Sequence, residues 1–212
     1  MTDLNCLLAG LAKLLTPAAL VIFWHKKTGA RFYPALIAFL VCLPVFLIAG
    51  AIRSGFMRGD PVIFYVQQGL LYGVFEETAK YLVLRYHLTS YDSRIDSVTY
   101  GIGHGAFEDY GGGMACLALI GTGRAAPDIL WVNLFGVISG TLSTCALTVL
   151  IFCGIHTDRS RIMLPIAIFL HAFSNAFTGT FMFSTPIVVV FSTLETAGEC
   201  YAAYRCWQKL WW

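Results

Sequence analysis

Apolar residues in this chain neither alternate with polar ones nor recur on a single stripe. They run on in stretches of 17 to 25 residues, separated by short polar breaks. About 20 consecutive apolar residues cross the hydrocarbon core of a bilayer as a helix. Seven such stretches predict seven spans: Leu4–Trp24, Pro34–Ile52, Val62–Leu84, Ser97–Gly121, Ile129–Cys153, Ile162–Thr178 and Phe183–Trp207. The expected fold is all-α, a polytopic transmembrane helical bundle forming one integral membrane domain over residues 1–212. No connecting loop is long enough for a soluble domain. The first span lacks the basic start and small-residue cleavage site of a removed signal peptide, so it reads as a retained helix.

Composition agrees: 58% of residues are hydrophobic, 12% are charged, and the mean hydropathy is +0.71. Soluble domains average about 45–50% apolar and about 25% charged residues. The lipid bilayer is therefore the expected surrounding, in the cell membrane. The net charge of +2 gives no reason to expect a nucleic-acid partner. The seven cysteines all fall in predicted spans without CxxC spacing, and read as small apolar packing residues. Oligomeric state is not legible in the sequence.

The charges mark topology instead. Lys26, Lys27, Arg31, Arg85, Arg94, Arg159, Arg161, Arg205 and Lys209 fall on one side of a seven-span arrangement, against Arg53, Arg58 and Arg124 on the other. This nine-to-three bias predicts an amino terminus outside and a carboxyl terminus in the cytoplasm. Trp24, Trp207, Trp211 and Trp212 at the basic ends suit an interfacial aromatic belt.

Against this background the ionisable residues inside the spans stand out, because each costs roughly 3 kcal/mol or more to insert. Glu76 and Glu77 precede Arg85 by nine and eight residues; His104 follows Asp96 by eight, and His171 follows Arg161 by ten. At 1.5 Å per residue all four lie about 12–15 Å from the basic boundary. One membrane level therefore holds residues far apart in sequence, which predicts a single site, expected to open toward the cytoplasm. Lys80 is i,i+4 to Glu76 and i,i+3 to Glu77, so it can neutralise one carboxylate and leave the other as a base. His104 with Glu108, and His171 with Asn175, are also i,i+4 pairs. A carboxylate and an imidazole around a water form a general-base arrangement, and an Asn amide can hold an oxyanion. Gly69 and Gly73, with Gly101, Gly103 and Gly105, suggest close packing of the third, fourth and sixth spans. Gly111–Gly113 suggest a bend or break beyond Glu108.

The motifs FEETAKY (Phe75–Tyr81), GIGHGAFE (Gly101–Glu108) and HAFSN (His171–Asn175) resemble the YhfC family of glutamic-type intramembrane proteases. That family is grouped with the CAAX-prenyl endopeptidases and abortive-infection proteases, PrsW and the polytopic scaffold subunit of γ-secretase. The resemblance covers a core of about residues 62–178. It implies an intramembrane endopeptidase acting on a membrane protein or membrane-anchored peptide, with neither cofactor nor metal. Glu76 would be the water-activating base, His104 and His171 would position water and substrate, and Asn175 would hold the oxyanion. Glu77 belongs to the same catalytic group, with Lys80 and Glu108 in support. The endopeptidase branch carries EExxxR where this chain has Glu-Glu-Thr-Ala-Lys, which leaves open which glutamate Lys80 neutralises.

Other readings compete. A zinc-dependent protease can be built from two His and a Glu with an open position, although no HExxH spacing exists. A proton-coupled carrier would use intramembrane Glu and His as a relay, but neither inverted repeats nor paired broken helices are visible. A silent membrane scaffold would not need the Glu, His and Asn together. The ordinary alternative for Glu76 and Glu77 is an ion pair with Lys80 that only fixes packing. Glu195 and Glu199, i,i+4 on the seventh span, match no motif and face a water-filled cavity or pair with Lys13; Asp109 reads as structural.

Overall fold

The computed structural model describes residues 2–182 and 184–210. Phe183, the expected start of the seventh span, and Trp211 and Trp212 of the expected belt lie outside them. The described residues form seven helices and no strand: α1 (Thr2–Thr28), α2 (Tyr33–Phe56), α3 (Pro61–Leu82), α4 (Arg94–Ala118), α5 (Ile129–His156), α6 (Ser160–Thr180) and α7 (Thr185–Trp207). A π-helical turn, Val83–His87, continues α3.

Polar caps set some ends that apolarity alone misplaces. Asp60 accepts a hydrogen bond from the Ile63 amide at 3.0 Å, and Pro61 supplies the fixed φ of the first turn of α3. Ser93 accepts from the Asp96 amide, so α4 begins three residues before the apolar stretch at Ser97. Asp96 also pairs with Arg31, which ties the start of α4 to the α1–α2 loop. At the other end α4 stops at Ala118 and is unbroken through Gly111–Gly113. Gly112 and Gly113 instead let Lys13 and Leu14 of α1 approach closely, correcting the expected kink.

Four helices are long and apolar enough to cross a membrane by length and composition: Thr2–Thr28, Tyr33–Gly55, Ile129–His156 and Ser160–Thr180. Helices α3, α4 and α7 fall short of that measure because they carry the ionisable residues. Glu76, Glu77, Lys80, His104, Asp109 and Glu199 are all buried, whereas Leu47, Phe169 and Leu194 are exposed. In water such an arrangement would be costly inside and sticky outside. In lipid it is the expected one, since the tails are as apolar as leucine and the protein interior can hold polar groups. The chain is an all-helical membrane protein.

Helix α5 is central. Its segment Ala146–Gly154 is buried throughout, packed among Tyr100 of α4, Ala167 of α6 and Ala203 of α7. Helix α3 packs most extensively on α6. A Cβ at Gly69 would meet the Ala172 carbonyl oxygen, and one at Gly73 would lie 2.8 Å from that of Ile168. Only glycine at these two positions allows so close a crossing. The glycines of α4 serve other neighbours: Gly101 faces Cys145 of α5, Gly103 faces Ala35 of α2, and Gly105 faces Thr144 of α5. The expected tight cluster of the third, fourth and sixth helices is thus a tight α3–α6 pair, with α4 held by α1, α2 and α5.

Candidate active site

Three helices bring Glu76, Glu77, His104 and His171 together. The α3–α6 crossing sets the two glutamates against His171, because Gly73 lies one turn before Glu76 and its Cβ position touches Ala172, beside His171. Helix α4 supplies His104 and Glu108 from successive turns. The shared membrane level expected from residue counting corresponds to direct contact in three dimensions.

The neighbouring glutamates have different partners. Lys80 Nζ donates to Glu77 Oε1 at 2.8 Å, and His171 Nδ1 lies 2.7 Å from the same oxygen. All three groups are buried, Lys80 and Glu77 completely. A carboxylate only accepts, so Nδ1 of His171 carries a proton and Nε2 is the ring nitrogen left facing the site. That Nε2 is 3.8 Å from Glu76 Oε2. Glu76 Oε2 is also 3.0 Å from His104 Nε2, whose other ring nitrogen lies 3.2 Å from Cys42 Sγ. A thiol donates to Nδ1, so His104 donates through Nε2 to Glu76. Glu108 Oε1 stands 3.5 Å from the same Nε2, with its side chain about a third exposed at 35%.

Cys42 has no sequence motif and reads as packing from composition. One signal was available: Cys42 follows Arg31 by eleven residues on α2, close to the depth of the glutamates. Asp109 pairs with Lys13 at 2.7 Å, so Lys13 answers an acid on α4 and not one on α7.

A cavity of about 330 Å³ adjoins this cluster between α5, α6 and α7. Glu108, His171 and Asn175 contribute to its wall; Glu76, Glu77, Lys80 and His104 lie behind it. Its remaining walls run from Leu147 to Val132 on α5 and through Met182 and Thr185. It therefore extends toward the end of the bundle bearing the α4–α5 and α6–α7 loops. That is the end opposite to the basic one.

The donor set suits a divalent cation. Glu76, Glu108 and His171 each offer a ligand atom, all within 4.8 Å of one another. Carboxylate oxygens and a neutral imidazole are ordinary zinc donors. The outer contacts match as well, since Glu77 fixes the His171 tautomer and His104 orients Glu76, as partners beyond the ligands of a metal commonly do. The zinc alternative anticipated two His and one Glu; this geometry offers two Glu and one His.

A known relative, "Uncharacterized membrane protein YhfC" of Bacillus subtilis (strain 168), is 24% identical over 172 residues, covering 75% of this chain. The chain spans 58% of that relative's length. No solved structure matches. The family model of the YhfC intramembrane metalloproteases matches residues 13–121, which run from α1 through α4 and contain Glu76, Glu77, His104 and Glu108. The chain belongs to the YhfC intramembrane metalloprotease family.

Proposed function

We propose that this protein is an intramembrane endopeptidase that hydrolyses a peptide bond of a membrane protein or membrane-anchored peptide. Hydrolysis takes place where Glu76, Glu108 and His171 meet. The observation that carries the reading is the convergence of two carboxylates and one imidazole beside a cavity inside a membrane bundle. The family description favours a metal-dependent form. Glu76, Glu108 and His171 would hold the ion, which supplies Lewis acidity for polarising a carbonyl and activating water.

The chain's own residues do the rest. Glu77 and Lys80 form a buried pair whose free energy goes into orienting His171. His104 keeps Glu76 aimed at the site. Glu108, the most exposed of the three donors, has a second oxygen with which to take a proton from the attacking water and return it to the leaving amine. Asn175, one turn beyond His171 on the cavity wall, can donate an amide N–H to the carbonyl oxygen as it gains charge.

A metal-free form has one observation in its favour: Glu76 and His104, 3.0 Å apart, already make a complete carboxylate–imidazole couple. In that form Glu76 is the general base, as the motif resemblance implies. Cleavage of single-span substrates by the purified protein in liposomes, with and without a strong chelator, tests both. Cleavage that stops on chelation and returns with zinc supports the metal form. Cleavage that survives chelation supports Glu76 as base, and no cleavage of any substrate in either condition overturns the endopeptidase reading.

A further inference from the structure

Helix α7 carries two carboxylates that the proposed chemistry does not use, Glu195 on the wall of this cavity and Glu199 behind it. Glu195 lines the wall, and its Oε2 accepts from Ser174 Oγ at 2.7 Å. Its Oε1 is buried with no partner, and neither carboxylate oxygen of Glu199 has one. Glu199 is 2% exposed, one turn beyond Glu195, and adjoins Ser143, itself a wall residue. Buried ionised carboxylates are strongly disfavoured unless a cation or donors meet them.

Among the described residues, no lysine or arginine supplies that cation. Lys80 is committed to Glu77 and Lys13 to Asp109, and no Lys or Arg lines the cavity. A proton neutralises a buried carboxyl while no cation is near, and leaves it when a cation comes beside it. A metal ion is disfavoured too, because the metal-capable donor set among the described residues is Glu76, Glu108 and His171, without either α7 carboxylate. A cation that arrives with the substrate would take the proton's place.

We propose that Glu195 and Glu199 form a subsite for a basic side chain, receiving the ammonium or guanidinium of a substrate Lys or Arg beside the scissile bond. The proposal rests on the endopeptidase reading above. Ser174, which anchors Glu195, is three residues past His171 on α6, a rise of about 4.5 Å. An extended substrate advances about 3.3 Å per residue, so the basic residue falls within about two positions of the cleaved bond. Substrate choice then follows from charge: a neutral side chain gains no ion pair from the two carboxyls, whereas Lys or Arg does.

The test uses the full chain in liposomes of phosphatidylglycerol, so that no cationic lipid headgroup fills the subsite. Single-span peptides differ only in Lys, Arg, Gln or norleucine at each position scanned across the span. The wild type is expected to cleave the best Lys and Arg peptides at least about tenfold faster in kcat/KM than the norleucine peptide, the scale of discrimination one satisfied buried polar contact gives. Glu195→Gln with Glu199→Gln should erase that preference while keeping the norleucine rate. Binding of the same peptides, followed by fluorescence anisotropy, should show the same preference without turnover. Cleavage with no preference among the four residues overturns the subsite and leaves the endopeptidase reading standing. Preferential binding without cleavage does the reverse. Equal binding of all four peptides by the wild type overturns the subsite whether or not the double variant folds.

Discussion

His171 Nδ1 lies 2.7 Å from Glu77 Oε1, the same oxygen that Lys80 holds at 2.8 Å. This contact separates the duties of two adjacent glutamates. Glu77 is spent on a lysine and a histidine, whereas Glu76 turns to His104 and to the side of His171 that faces the cavity. About 100° of helix rotation between neighbouring residues suffices to divide them.

Lys80→Met should be strongly destabilising. It leaves Glu77 ionised, buried and short of its cation, an imbalance that costs about 3–5 kcal/mol when one partner of a buried pair is removed. Adding Glu77→Gln to Lys80→Met should recover most of the loss. Thermal midpoints in one detergent check this, and a double variant no more stable than Lys80→Met would show that the pair carries little of the fold.

Glu76→Gln keeps the side chain's size but removes its charge and basicity. Cleavage should fall by at least about 100-fold, because the change removes an ion ligand in the metal form and the general base in the metal-free form. Expression and thermal midpoint should stay near wild type, since His104 can still donate to the Gln carbonyl. A wild-type rate in this variant would remove Glu76 from the reaction.

If Glu76, Glu108 and His171 hold an ion, the purified protein should contain about one zinc per chain by elemental analysis, since these donors build a single site. His171→Ala should abolish that content. Glu77→Gln should weaken metal affinity by about 10–100-fold, the usual effect of removing a partner behind a ligand. Metal content unchanged by both substitutions would place the ion elsewhere.

Gly69→Val should separate α3 from α6. Its side chain would press on the Ala172 carbonyl, backbone that has no rotamer with which to yield. Overpacking of this kind costs about 1–3 kcal/mol. Activity should fall further than stability, because the same crossing sets Glu76 against His171. The ratio of cleavage rate to folded fraction measures the difference, and equal losses would mean that the site tolerates the shift.

The basic residues argue for an amino terminus outside and a carboxyl terminus in the cytoplasm. Reporter fusions at the two ends should therefore give opposite signals. In that orientation the cavity, which extends past Met182 and Thr185, opens away from the cytoplasm. An impermeant thiol reagent should then label a cysteine placed at Thr185 in intact cells. Both ends on one side of the membrane would rule out seven spans.

The sequence by itself determined what depends on position along a helix. Uninterrupted apolar stretches gave seven helices near their observed bounds, and counting from basic boundaries put Glu76, His104 and His171 at one depth, where they meet. It could not determine how each helix is rotated about its own axis or which helices touch. Those choices are made by packing between distant segments: Gly69 and Gly73 against α6, Gly103 against α2, and α5 through the centre. Only that packing decided that Lys80 takes Glu77 and not Glu76, although both spacings permit a pair. It also put Cys42 behind His104, matched Lys13 with Asp109, joined Glu108 to the donor set and turned the cavity away from the basic end. Local spacing fixes height and one-helix neighbours; the identity of a partner across the bundle is a property of the whole packed chain.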